Sequence, residues 1–222
     1  MPQQQIPRIL LVFVMVFISL LLPNSIWKRR NANGIWKAFQ KWAQRSGFKL
    51  EKRQPTWNVP DAPTATGKIN NVKVEIIVSP QHKQHSYFAS PDYHTVVRVY
   101  AETKTELDFS ISLATLADSV AKKVGIENFK TGNEDFDRNF DVDSNDEELM
   151  QCVLDELTLE NLVSNQFLFQ FGGLKFRQNY LRYERKSAPS TAEEVQEYYA
   201  IAEFMAGIVG KIDQYNRTQF RS

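Results

Sequence analysis

The chain has 222 residues with 27 Lys or Arg, 26 Asp or Glu and a single cysteine, Cys152, for a formal net charge of +1. That length suffices for one ordinary domain with a sizeable core, and a lone cysteine excludes an internal disulfide. The charge is unevenly spread: residues 1–50 carry eight Lys or Arg and no acid, which leaves nineteen basic against 26 acidic residues in 51–222. An acidic body argues against a general nucleic-acid-binding surface, and no nucleic-acid partner is expected.

The first element is the apolar run Ile9 to Leu22 (ILLVFVMVFISLLL), followed by Trp27, Lys28, Arg29 and Arg30. At about 1.5 Å per helical residue the run spans roughly 21 Å, and continuing the helix to Trp27 gives about 28 Å, near the hydrocarbon thickness. Residues 1–30 are therefore expected to form a transmembrane anchor with a basic flank. Arg8 alone precedes the run, whereas Lys28, Arg29, Arg30, Lys37, Lys41, Arg45 and Lys49 follow it. The positive-inside bias then keeps the C-terminal part in the cytoplasm, making this a single-pass membrane protein. A cleaved secretory signal needs a small-x-small site close behind the run, and Asn24, Ser25, Ile26 and Trp27 supply none.

Residues 31–47 form the second unit. Gly34 to Ser46 reads as a helix with Ile35, Trp36, Phe39, Trp42 and Ala43 along one side and Lys37, Lys41 and Arg45 on another. Tryptophan favours the bilayer interface and anionic headgroups attract lysine and arginine. Trp27, Lys28, Arg29, Arg30, Trp36, Lys37, Lys41, Trp42 and Arg45 are thus the expected contacts with an anionic inner leaflet. The plainer reading, that the apolar side packs on the domain and the lysines are merely solvated, stays open beside it.

Residues 48–222 are expected to form one soluble domain. Residues 53–64 and 79–93 read as irregular connections. Val72, Val74, Ile76 and Val78 alternate with Lys73, Glu75 and Ile77, and Ile69-Asn70-Asn71-Val72 turns a hairpin into that strand. Thr95–Ala101 reads as a strand beside the alternating Leu107, Phe109, Ile111 and Leu113. Phe167–Phe176 reads as a hairpin with Gly172-Gly173 at its tip. Ser144 with Glu147 forms a capping-box pattern before a helix carrying Leu149, Met150, Val153, Leu154 and Leu157, and Ser190 with Glu193 repeats it. A last helix, about Thr191–Tyr215, presents Val195, Tyr198, Tyr199, Ala202, Met205, Ile208, Val209 and Ile212 at helical spacing and should cover one sheet face. Helices punctuate the strands irregularly, so the expected class is α+β, with a mainly antiparallel sheet covered by helices.

Three features bear on chemistry. His82, His85 and His94 match a zinc site in number, but no H-E-x-x-H helix is present and no metal is expected. Asp141-Val-Asp143-Ser-Asn145-Asp146 opens like a calcium loop and then fails, with Asp146 where glycine belongs and Cys152 where a bidentate glutamate belongs. Those acids fit the cap and first turn of the following helix. The third is Thr131-Gly132-Asn133-Glu134-Asp135-Phe136-Asp137-Arg138-Asn139-Phe140-Asp141-Val142. Gly132 can take a left-handed turn, Asn133 or Asp135 can cap a short helix, and Phe136 and Phe140 then share a core-facing side. Asp137 and Arg138 can pair or bond backbone amides; the catalytic alternative gives Asp137 an acid or base role with Asp135 and Asp141.

This last segment resembles the T-G-x-x-x-F-D-x-x-F-x-V signature of an uncharacterised bacterial family of membrane-associated proteins with a domain of unknown function. The resemblance runs loosely from Phe39 to Phe176, including an early glycine-containing hairpin at Thr66-Gly67 and the capped helix after the motif. It departs at Asn133 and Glu134, where aspartate and proline are usual. It implies an α+β, membrane-associated domain with no assigned activity, cofactor or catalytic residue, and marks Gly132, Phe136, Asp137 and Phe140 as motif positions; with the charge bias, the membrane is the inner one. Two function classes follow. The favoured one is a non-enzymatic accessory module, anchored by a single pass, whose domain binds lipid headgroups or a protein partner. The other is a membrane-tethered hydrolase using the acidic motif around Asp137 and the loop histidines.

Overall fold

The computed structural model describes residues 32–52, 62–81, 92–114, 129–169 and 172–219. A helix over 32–46 (α1) leads into an eight-stranded, wholly antiparallel sheet. Its strands are β1 (Lys49–Lys52), β2 (Pro63–Ile69), β3 (Val72–Gln81), β4 (Asp92–Tyr100), β5 (Phe109–Leu113), β6 (Phe140–Ser144), β7 (Leu174–Arg177) and β8 (Tyr180–Arg185). The spatial order is β1-β2-β3-β4-β8-β7-β5-β6. Short helices α2 (Glu134–Asn139), α3 (Glu147–Val153), α4 (Glu156–Ser164) and α5 (Gln166–Phe169) precede β7, and the long α6 (Ala192–Gln219) ends the described chain. The α+β class and the antiparallel sheet expected from the sequence are those observed.

Two tight turns set the sheet register. Asn70 and Asn71, with φ of 51° and 67°, join β2 to β3, and Gln178 and Asn179, with φ of 52° and 63°, join β7 to β8. Left-handed φ at both central positions matches the right-handed twist of the paired strands. The first turn is the one expected from Asn70-Asn71. The second corrects the expected hairpin over Phe167–Phe176: Gln166–Phe169 is a helical turn, and the glycine pair lies against other strands instead of forming a tip. A Cβ on Gly172 would fall 2.0 Å from the Glu184 carbonyl oxygen, and one on Gly173 would fall 2.5 Å from that of Ile111. Both positions need glycine for backbone to pass backbone.

Other differences are local. The strand expected over Thr95–Ala101 pairs with β3 and β8, whereas β5 pairs with β6 and β7. Strands β3 and β4 reach into the stretch 79–93 from both sides. The cap of α3 is Asp146, whose side chain accepts from Leu149 N, while Ser144 Oγ bonds to the Asp146 backbone. The helix then stops at Val153, and Asp155 caps α4 by accepting from Thr158 N. Leu157 therefore lands on the next helix, where it is 66% exposed. At α6, Thr191 Oγ1 accepts from Glu194 N and the Glu194 carboxylate takes Ser190 N, shifting the expected Ser190–Glu193 pattern by one residue.

Among the described residues, helices bury one face of the sheet. Ala65, Ile69, Val72, Val74, Ile76, Val78, Val97, Val99, Leu181 and Tyr183 alternate onto it, and Val195, Ala202, Met205, Ile208, Val209 and Ile212 of α6 join the same cluster. Between β5 and β7, Phe109 and Phe176 stack at 5.5 Å across the paired strands. The Tyr183 hydroxyl donates to the Leu168 carbonyl at 2.7 Å, and burial pushes this phenol up to about 12.

No helix among the described residues is long and apolar enough to cross a membrane; the apolar run 9–22 and its flank to Arg30 lie outside them. Within the helical layer, Lys211 of α6 lies 2.6 Å from Asp155 and holds its pKa down at about 2, from an ordinary 3.8. A depressed carboxylate stabilises the fold above its unfolded pKa and loses that contribution as pH falls through the folded value. Because the pair is partly exposed, its worth is about 1 kcal/mol or less. Asp155→Asn, which retains a competent cap, should lower stability by that amount at neutral pH. Urea denaturation curves of the two proteins should converge between pH 4 and pH 2.

Candidate functional site

Helix α1 carries the described part of the expected membrane-interface set. Lys37, Lys41 and Arg45 are exposed, and Trp36 is half-buried with the Lys52 ammonium 5.7 Å from its ring. Trp42 is different. It is 3% exposed, donates from Nε1 to Gln196 at 3.1 Å, and packs its ring 5.0 Å from Phe48 and 5.8 Å from Tyr199. This corrects its assignment as a lipid contact: Trp42 belongs to the core, with Ile35, Phe39 and Ala43. Burying such side chains stabilises by about 1.5–3 kcal/mol each, so lifting α1 off the domain costs several kcal/mol. Exposed cations gain only about 1 kcal/mol each near an anionic surface, and gain it equally with α1 docked. Trp27, Lys28, Arg29 and Arg30 lie outside the described residues.

The Thr131–Val142 segment is built as a turn, a short helix and a strand. Gly132 has φ of 82°, and Asn133 caps α2 by accepting from Phe136 N at 3.0 Å. Asp137 accepts from Thr131 N at 3.0 Å, Thr131 Oγ1 at 2.9 Å and Gly132 N at 3.2 Å, which fastens the turn to the helix behind it. Phe136 and Phe140 are buried and stack at 4.9 Å, and Phe140 meets Phe169 edge-on at 5.6 Å. The acids do not converge. Asp141 alternates with buried Phe140 and Val142, Asp146 caps α3, and Asn145 bonds Asp108 N and the Glu106 carbonyl. Among the described residues no group of three His, Cys, Asp or Glu side chains is placed to hold a metal ion.

His94 is far from that motif. It sits on β4, four strand steps from β6, about 19 Å across a sheet. His82 and His85 lie outside the described residues. The structure instead brings His94, which is buried, to the face of the sheet that no described helix covers. Its Nδ1 shares a 2.7 Å hydrogen bond with Glu184 Oε1, and Glu184 also accepts from Arg182 Nη2. Here a cleft of about 450 Å³ is walled by Ile77, Val96, His94, Arg98, Arg182 and Glu184.

Strand register dictates this grouping. One row runs directly across the sheet through Lys49, Thr66, Glu75, Arg98, Arg182, Lys175, Ser110 and Asp143. Arg98 thus faces Arg182, which faces Lys175. Glu75, next to Arg98, is taken by the Lys73 ammonium at 2.8 Å and the Tyr100 hydroxyl at 2.6 Å. Burial works to raise the Glu75 pKa, but these hydrogen bonds outweigh it and hold the carboxyl below its ordinary value. Burial and the bond to Glu75 push the Tyr100 phenol up. Arg98 lies over the Tyr180 ring at 5.4 Å, and Tyr100 and Tyr180 are 5.5 Å apart.

The sequence carried half of this signal. Period-2 alternation puts His94, Val96, Arg98 and Tyr100 on one side of β4, and Tyr180, Arg182 and Glu184 on one side of β8. What brings the two sets together is the pairing of residues more than 80 apart, which alternation does not reveal.

Substitution distinguishes architecture from catalysis in the Phe-Asp motif. Phe140→Ala should destabilise by about 3–5 kcal/mol through lost transfer energy and the cavity left. Asp137→Asn keeps the shape and weakens three hydrogen bonds at a partly exposed turn, for about 1 kcal/mol. Guanidinium denaturation midpoints should fall sharply for the first and slightly for the second; an unchanged midpoint for Phe140→Ala would contradict its buried position.

A scan against protein-family models finds no match, and a search of curated proteins finds none either. Among solved structures, the chain is similar to the crystal structure of the mycobacterial trehalose monomycolate transport factor A, TtfA. The two are 14% identical with a TM-score of 0.44, over 82% of this chain and 93% of that one. At that distance the likeness says nothing of what this chain binds.

Proposed function

We propose that the chain is a single-pass, membrane-anchored accessory module whose domain, residues 48–222, sits in the cytoplasm close to an anionic inner leaflet. It belongs, on this reading, with the bacterial membrane-associated proteins that share its Phe-Asp motif. The observation carrying the proposal is the two-sided use of α1. Its apolar side is built into the core, while Lys37, Lys41 and Arg45 stay exposed. Only residues 23–31 separate the apolar run from this helix, a reach of about 30 Å at full extension. The domain is therefore tethered by a short leash with a basic helix at its base.

A binding role fits the geometry better than hydrolysis. Asp137 spends its carboxylate on the turn at Thr131 and Gly132, Thr131 Oγ1 included, and His94 stands on β4, four strand steps from β6. Lipid headgroups on the α1 side and a partner on the opposite, open side of the sheet are compatible with one anchored orientation.

Fusion of a fluorescent protein to the C-terminus should give cytoplasmic fluorescence, and fusion of alkaline phosphatase should give an inactive enzyme; active phosphatase would reverse the orientation. A fragment beginning at Asn31 should bind anionic vesicles in a salt-sensitive way, since exposed charges are screened within about 10 Å at 0.1 M. Replacing Lys37, Lys41 and Arg45 together by glutamine should weaken this binding by ~100-fold, at about 1 kcal/mol per charge. Equal binding of parent and triple variant in a vesicle sedimentation assay would remove α1 from the interface.

A further inference from the structure

The open-face cleft holds an arrangement that the fold alone does not require. Arg98 and Arg182 face each other directly across β4 and β8, with Lys175 in line beyond Arg182. Like charges opposite one another weaken a sheet. The carboxylate beside Arg98, Glu75, is already engaged by Lys73 and Tyr100. Moreover, Nε of Arg98 and Nε of Arg182 are both buried with no hydrogen-bond partner. A buried donor left without an acceptor is a cost that native folds rarely carry unexplained.

We propose that this cleft binds a phosphate group, gripped by the guanidiniums of Arg98 and Arg182, and that Glu184 is the internal anion that the ligand displaces from Arg182. Guanidinium matches oxyanions through two parallel N–H donors. Glu184 uses Arg182 incompletely, accepting at Nη2 while Nε stays unpaired. Its other oxygen is held by His94 Nδ1 at 2.7 Å, so the carboxylate has a second partner when it leaves the arginine. The cleft wall carries Lys52, Arg98 and Arg182 against Glu51 and Glu184, a positive surplus. Phosphate offers two guanidiniums separate oxygens at once, which a single carboxylate does less well. The cleft, at about 450 Å³, is within the range of small-ligand sites and leaves room for an organic body against Ile77 and Val96.

The phosphate belongs either to a soluble ester or to a lipid headgroup. The cleft lies on the sheet face opposite the helical layer that includes α1, so the two sources are separable by experiment. The full chain, held in discs of zwitterionic lipid, is titrated with inorganic phosphate while the arginine Nε–H resonances and the heat of binding are followed. Phosphate should shift the Arg98 and Arg182 Nε–H signals, and Arg98→Gln or Arg182→Gln should each weaken binding at least tenfold. Arg98→Lys and Arg182→Lys, which keep the charge and lose the paired donors, should weaken it as well, and they serve if a glutamine variant fails to fold. Glu184→Gln should tighten binding several-fold, because the competing charge is gone. Absence of any phosphate-dependent shift overturns the proposal, as does equal binding by parent and both lysine variants. Weaker binding by Glu184→Gln overturns the displacement step. Vesicles containing phosphatidic acid that compete with phosphate assign the headgroup, and failure to compete assigns a soluble ester; either result retains the phosphate site. Fusion topology and vesicle binding through α1 use other residues, so the anchoring reading and this one stand or fall separately.

Discussion

Burial of one sheet face beneath α6 and α1 is the constraint from which the rest of the structure follows. Each strand of the sheet must send alternate residues inward, as Val72, Val74, Ile76 and Val78 do against the α6 positions Met205, Ile208, Val209 and Ile212. The same alternation commits the intervening residues to the other side. No described element covers that side, and Lys73, Glu75, Arg98, Arg182 and Glu184 lie there beside Ile77 and Val96. The polar row across the sheet is thus the obligatory complement of the core, and register decides which of its charges meet.

The helical layer is held in place by close approach as well as by area. A Cβ on Gly67 would lie 2.7 Å from the Phe48 ring, so this ring lies flat on the β2 backbone, and Trp42 and Tyr199 close over it at 5.0 Å and 5.8 Å. Helix α1 is consequently part of the domain and not a detachable membrane appendage. At the other end of the sheet, stacked Phe136 and Phe140 extend through Phe169 to Tyr183, linking the motif helix to the central strand β8. Asp137 stabilises that end indirectly, by fastening the turn that delivers Phe136 to its place.

Local patterns were legible in the sequence and long-range pairings were not. The Asn70-Asn71 turn, the alternation of β3, the apolar side of α6 and the inward pairing of Phe136 with Phe140 each depend on residues within one element or one turn. Where reading failed, a longer-range effect won. Gly172-Gly173 looks like a hairpin tip because glycine suits turns, yet the pair is needed for contact with Glu184 and Ile111, residues of other strands. Asp146 and Asp155 took the cap positions by offering a carboxylate to the free N–H groups, which split one expected helix into two and exposed Leu157. Trp42 has the composition of an interfacial residue, and only the presence of Phe48 and Tyr199 on either side makes it core.

The two faces of the domain now have different physical characters. On the helical side, cations project from a scaffold whose apolar groups are already satisfied, which suits a diffuse, salt-sensitive attraction to a charged surface and asks for no fixed geometry. On the open side, arginines are held in register by strand pairing, flanked by tyrosines and a histidine-bound carboxylate, with donors left unpaired. Donors held by strand pairing discriminate between ligands in a way a diffuse field does not, because an ill-fitting group leaves buried N–H groups unsatisfied. Anchoring and recognition can therefore be divided between opposite sides of a single sheet. Were the chain anchored as proposed, that division would matter, since whichever side meets the bilayer is lost to any other partner.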